Sequence, residues 1–238
     1  MGVTDLLKLL LLSSGFVGLA AAADSPIPVN FGVIAFPGFE ALDIFGPLDA
    51  LNLLAYKYPM NLSIIAATMD PVGTTPRINP KNSNFSEFIV PTHTFENAPP
   101  LDFLLVPGGP GTRATNLNST IDFVRDTYPS LQYFMTVCTG AGIAARAGVL
   151  DGKNATTNKR AFKETSAWGP KTNWITHARW VVDGNIWTTS GVSAGTDGLF
   201  GFMSQIYGED VALNTANGME YVRWTNASYD PFADLYDL

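Results

Sequence analysis

Short apolar runs alternate along the chain with longer stretches of helical periodicity. Asn30–Phe36, Leu62–Ala67, Leu101–Val106 and Tyr133–Val137 are rich in Val, Ile, Leu and Phe with little polar alternation, the pattern of strands buried on both faces. Helices are predicted at Pro47–Ala55, Thr120–Thr127 and Thr139–Ala147, the last closed by Gly148 as a left-handed cap. Strand and helix in this rhythm predict a mostly parallel sheet with helices on both sides. Further on, ARWVV and NIWTT flank Asp183-Gly184, a strong hairpin signal, and two more helices fit Ala194–Tyr207 and Asp210–Tyr221. Pro71 to Pro100 holds six prolines and four asparagines and reads as a surface excursion with one short strand near Phe88–Val90.

Composition narrows the possibilities. The chain has 238 residues, 46% of them hydrophobic, enough for one α/β domain. A net charge of −7 speaks against nucleic-acid partners and anionic membrane surfaces. The single cysteine excludes an intrachain disulfide, and two histidines leave little for a histidine-rich metal site. Leu6–Ala23 is an apolar stretch with Lys8 near its start and small residues before Asp24, so residues 1–23 read as a signal peptide and 24–238 as one domain. The small-residue end favours cleavage over an uncleaved membrane anchor. Five N-x-S/T sequons, at Asn61, Asn84, Asn118, Asn154 and Asn226, fit a glycosylated secretory protein. Asn154 is the sequon most open to concealment, in a short strand.

The candidate chemistry centres on Cys138. It follows the strand LQYFMTV directly and precedes TGAGIAARAG, which places it on a strand-to-helix turn of the nucleophile-elbow type, with Gly140 leaving room. A helix N-terminus there is expected to lower the thiol pKa and favour the thiolate; the alternative is an inert buried cysteine. PGGPGTR follows the third strand, and in this loop of Gly108, Gly109 and Pro110 the Gly109 N–H is expected to converge with that of Thr139 on developing negative charge. It matches neither a dinucleotide fingerprint nor a P-loop. Asp43 is expected in the turn after the first strand, before a helix begun at Gly46-Pro47, either as an acid beside the sulfur or as a helix cap, with Glu40 as competitor. Its apolar neighbours and a nearby thiolate should raise its pKa and favour a proton shared with sulfur. His177 and His93 read as surface or loop residues; Trp168, Trp174, Trp180 and Trp187 line a pocket or, by default, pack the core. No spacing suggests a metal, and no cofactor is expected.

Together, FPGFEALDIFGP, LLVPGGPGTR, VCTGAGIAARAGVLDGKNATT and RWVVDGNIWTTSGVSAGTDG resemble the ThiJ/PfpI superfamily and, within it, the isonitrile hydratase-like branch. The resemblance implies the class I glutamine amidotransferase-like, flavodoxin-like three-layer α/β sandwich, here with an added β-hairpin, and a homodimer. It also implies catalysis by a cysteine, the threonine after it and an aspartate: Cys138, Thr139 and Asp43. Protease-like members carry histidine after the cysteine, and amidotransferases a downstream His-x-Glu; Thr139 and Ala178-Arg179 depart from both. Asn158 follows Thr157 where relatives often have histidine or tryptophan, so that wall of the pocket is expected to differ.

The leading expectation is a cysteine-dependent lyase hydrating an isonitrile, a small electrophile, to an N-substituted formamide. A glyoxalase-type conversion of a 2-oxoaldehyde, and a redox-responsive or ligand-binding protein using Cys138, are the alternatives. A transcriptional regulator is least favoured, since no helix-turn-helix module follows within the chain. Export has its own test: the secreted chain should begin near Asp24 and lose mass when N-glycans are removed, whereas an unmodified protein retaining Met1 would overturn it.

Overall fold

The computed structural model describes residues 27–238 apart from Arg77; the expected signal peptide and its junction lie outside them. The chain runs β1 (Asn30–Ile34), α1 (Ala41–Ala55), β2 (Asn61–Ala66), β3 (Val72–Gly73), β4 (Phe88–Ile89), β5 (His93–Thr94) and β6 (Phe103–Val106). A 3-10 turn, Pro110–Arg113, leads to α2 (Asn118–Thr127), β7 (Tyr133–Thr136), α3 (Gly140–Arg146), β8 (Asn154–Ala155), α4 (Phe162–Ala167) and β9 (Asn173–Trp174). The hairpin β10 (Trp180–Asp183) and β11 (Ile186–Thr189) precedes α5 (Val192–Tyr207), α6 (Glu209–Gly218) and α7 (Pro231–Leu235).

Seven strands form the central sheet in the order β10-β11-β7-β6-β1-β2-β5, parallel throughout except for β10 against β11. Apolar residues on both sides of each inner strand require cover on both faces. Helix α1 packs on α5, and α5 on α6; α2 packs on α3, and α3 on α4. The result is the expected three-layer α/β architecture. After β1 the chain turns outward to β2 on one side, and β6 enters on the other side of β1. The loops after β1 and β6 therefore part at a topological switch point, where open α/β sheets hold their ligands.

The structure departs from the expected elements in particular places. Helix α1 starts at Ala41, six residues before Pro47, which lies inside it. The buried residues Asp43, Ile44, Pro47, Leu48, Ala50, Leu51 and Leu54 form one continuous helical stripe, and that burial outweighs the hydrogen bond lost at proline. Pairing of Asp183 with Ile186 makes Gly184-Asn185 the two-residue hairpin turn, one residue later than expected, with Gly184 supplying φ of +64°. Helix α6 ends at Gly218 instead of Tyr221. The 71–100 excursion holds β3, β4 and β5 where one strand was expected, with β3 pairing β4 and β5 added to the edge of the main sheet.

Phe202 of α5 joins the core across the sheet. Its ring lies 5.1 Å from Phe103, 5.0 Å from Tyr133 and 5.6 Å from Trp187. It is fully buried, so Phe202→Ala should cost about 3–5 kcal/mol by cavity formation. A urea titration should show a lower midpoint at unchanged slope, and an unchanged midpoint would contradict the packing described.

Candidate active site

Cys138 stands between β7 and α3 with φ of +57°, a left-handed conformation that costs a non-glycine residue about 1–3 kcal/mol. Its neighbours hold that strain in place. The Val137 N–H still pairs with the Val106 carbonyl at 3.0 Å, so the strand continues to the last residue before the turn. The Thr157 hydroxyl donates to the Cys138 carbonyl at 2.8 Å. Gly140 packs under β6, where a Cβ would collide with the Val106 carbonyl and lie 2.7 Å from that of Pro107. The sequence expectation of an elbow with room made by glycine matches this geometry.

Asp43 reaches the site from α1. Lying on the buried stripe of that helix, its side chain is fully enclosed, and Oδ2 accepts the Gly108 N–H at 2.7 Å. Among the described residues Oδ1 has no hydrogen-bond partner. Burial pushes the carboxyl up to about 7, against the lowering effect of the Gly108 bond and with a further push from the Glu40 carboxylate. Asp43 is therefore not the cap of α1. That position belongs to Glu40, whose side chain makes no capping bond.

Thr139 is enclosed by a small network. Its hydroxyl oxygen accepts the Gly109 N–H at 3.0 Å and lies 3.2 Å from the Thr112 hydroxyl, whose proton goes to the Gly109 carbonyl at 2.8 Å. This corrects the expectation for Gly109: its N–H is committed to Thr139 and does not face the sulfur. The Gly108 N–H is likewise committed, to Asp43. Gly109 adopts φ of +123°, open only to glycine, and a Cβ there would sit 2.5 Å from the Glu40 nitrogen. Pro110 is exposed and starts the 3-10 turn.

The thiol departs from expectation as well. Burial, followed by the charge of Asp43, pushes Cys138 well above the ordinary thiol range; the Thr139 N–H and the Asn158 side chain pull in the opposite direction. Helix α3 has seven residues, and its N-terminus does not outweigh enclosure of a cysteine that is 6% exposed. The resting site is a buried thiol beside a carboxyl, not a standing thiolate.

Several groups at the site went unread in the sequence, and Asn158 was read there only as a pocket wall expected to differ from relatives. Thr112 positions Thr139, Thr157 fixes the elbow, and Asn158 acts on the sulfur. Lys159, almost wholly buried, donates to the Thr156 hydroxyl at 2.7 Å and the Ala178 carbonyl at 2.8 Å, and lies 3.6 Å from Asp230, which caps α7. Burial lowers Lys159 to about 8, and Asp230 opposes the shift. Their only signal in the sequence was the compact run TTNK after β8, which carries no periodicity to place it.

The remaining candidates fall outside this cluster. His177 is exposed and meets Asp234 at 3.0 Å, and His93 lies on edge strand β5 beside Thr92. Trp180 and Trp187 are buried, Trp168 lies under Arg146, and the Trp174 indole donates to the Gly169 carbonyl. Among the described residues no group of His, Cys, Asp and Glu could hold a metal. All five sequon asparagines are exposed; Asn154, in β8, is not concealed.

Comparison with known proteins agrees with this geometry. The profile of the DJ-1/PfpI family matches residues 31–208. An isonitrile hydratase of Pseudomonas putida is 30% identical over 194 residues, 81% of this chain and 78% of that protein. A ThiJ/PfpI family protein from Pseudomonas syringae superposes with a TM-score of 0.68 at 29% identity, covering 81% of this chain and 75% of its own. An AraC family transcriptional regulator from Pseudomonas putida shares the fold, with a TM-score of 0.67 at 18% identity over 81% of this chain and all of that one. Elbow, glycine loop and profile converge on one conclusion: the chain belongs to the DJ-1/PfpI family.

Proposed function

We propose that this protein is a cysteine-dependent lyase that hydrates an isonitrile to an N-substituted formamide. The observation that carries the reading is Asp43: a fully buried carboxyl near neutrality, with one oxygen unpartnered, beside the Cys138 thiol. Such a pair can hold a single proton that passes between sulfur and oxygen. The isonitrile carbon needs that chemistry, because it is attacked by a nucleophile and then protonated at the same atom. The similarity to isonitrile hydratase supports the same reading.

In the reaction the sulfur attacks the terminal carbon of R–N≡C while the thiol proton moves to Asp43. Asp43 then delivers the proton to that carbon, leaving R–N=CH–S–Cys138. Water adds to the thioimidate carbon; one of its protons reaches the nitrogen through Asp43, and the carbon becomes tetrahedral. Collapse to the formyl group breaks the carbon–sulfur bond, and the hydroxyl proton returns through Asp43 to the sulfur. The sum is isonitrile plus water giving R–NH–CHO. The Thr139 hydroxyl, held in place by the Gly109 N–H, orients the water.

Asp43→Asn keeps shape and the Gly108 hydrogen bond but cannot carry protons, so isonitrile turnover should fall by about 10²-fold or more in a folded protein. Near-wild-type turnover would remove Asp43 from the chemistry. The pH dependence has a definite sign. Below about 7 both Asp43 and Cys138 hold protons and no base is present, so kcat should rise as the pH passes through about 7. Asp43→Asn should lose that rise; a rate that falls across the same interval would mean that the doubly protonated pair is the active form.

A further inference from the structure

A lysine and an aspartate with almost no exposed side-chain surface are costly to keep, and Lys159 and Asp230 are such a pair. They take no part in the proton chemistry proposed for Asp43. The hydrogen bonds of Lys159 show what its charge is kept for.

The Thr156 hydroxyl donates to the Ile175 carbonyl at 2.8 Å, so its oxygen meets Lys159 as an acceptor, at 2.7 Å. The Ala178 carbonyl lies 2.8 Å from the same nitrogen, and the Thr157 carbonyl 3.4 Å. Three acceptors around one nitrogen match the three protons of an ammonium; a neutral amine would turn its lone pair toward an oxygen. Asp230 Oδ2, 3.6 Å away, is too far for a hydrogen bond and supplies the opposing charge, while Oδ1 accepts the Phe232 N–H at 3.0 Å. The Phe162 ring, 5.7 Å from the ammonium, adds an apolar contact.

These contacts fix a short segment at two points. The Thr156 N–H donates to the Thr188 hydroxyl of β11 at 2.9 Å, and Lys159 anchors the other end to the loop between β9 and β10 and to α7. Thr157 lies between the anchors, and its hydroxyl donates to the Cys138 carbonyl at 2.8 Å. A left-handed cysteine persists only where its surroundings hold it, and Thr157 holds it only while its own backbone is held.

We infer that Lys159 is a positioning residue for Cys138: its ammonium braces the Thr156–Thr157 segment that holds the strained elbow. Without the brace the elbow relaxes, and the sulfur leaves the enclosure and the neighbouring carboxyl that together oppose its ionisation. The thiol becomes easier to alkylate and worse placed to exchange a proton with Asp43. The loss of turnover rests on the cysteine-lyase reading; the change in alkylation does not.

The test removes the brace without stranding a charge, by combining Lys159→Met with Asp230→Asn and checking the fold by circular dichroism. Alkylation of Cys138 by iodoacetamide at about pH 8 should quicken by roughly 10-fold, as for a thiol whose pKa falls by about one unit, while hydration of methyl isocyanide slows. Thr157→Val removes the hydroxyl that the brace serves and should quicken alkylation to the same extent. Added to the neutral pair it should change nothing more, because both act through one contact. Effects that multiply, or alkylation of the paired variant within about twofold of wild type, would overturn the assignment. Thr156→Val breaks the same link at its other end and decides the matter should the paired variant not fold. Quicker alkylation in variants of a wild type that does not hydrate methyl isocyanide would keep the brace and discard the lyase reading.

Discussion

The left-handed backbone of Cys138 is the constraint around which the site is arranged. A cysteine in an ordinary strand or helix conformation would point along the sheet or into a helix face. The positive φ instead turns it out at the carboxyl edge, where the loops after β1 and β6 diverge. That turn strands the Cys138 carbonyl, and Thr157 receives it; it also brings α3 against β6, and glycine at position 140 permits the approach. The threonines around the elbow repay part of the strain with hydrogen bonds made in a region closed to water.

On the proposed lyase reading, reactivity at this site comes from proximity and not from a standing charge. A permanently ionised thiol in an exposed cleft would react with many electrophiles and oxidants. A buried thiol that ionises only as its proton crosses to a neighbouring carboxyl is selective, because the anion exists only while a partner occupies the site. Asp43 can serve this way because it occupies a core position on an amphipathic helix, where its charge is unwelcome. The same burial that raises its pKa makes it a usable proton carrier near neutrality.

Much of this was legible in the chain itself. The inner strands announced themselves as unbroken apolar runs, and the elbow as a cysteine wedged between such a run and a small-residue helix. Asp43 was found by its neighbourhood but placed wrongly, because proline at position 47 reads as a helix start; the burial stripe that overrides it depends on α5, which lies 150 residues further along. The thiol pKa was misjudged in direction, since a local motif shows a helix terminus and not the enclosure around it. The Gly109 donor was misassigned because its partner is a side chain brought in by another loop. Lys159 has no local pattern at all, since its partners come from segments that meet only in the folded molecule, and Asn158 was legible only as a pocket-wall position departing from relatives.

The buried contact between Lys159 and Asp230 joins α7 to the segment after β8 that carries Thr156 and Thr157. Such a pair stabilises little when complete, but loss of either member leaves an uncompensated charge in the interior. Helix α7 is thus tied to the segment that braces the elbow. A chain cut ahead of Asp230 would leave the Lys159 ammonium buried without its counter-ion, two residues from the threonine that holds the Cys138 carbonyl.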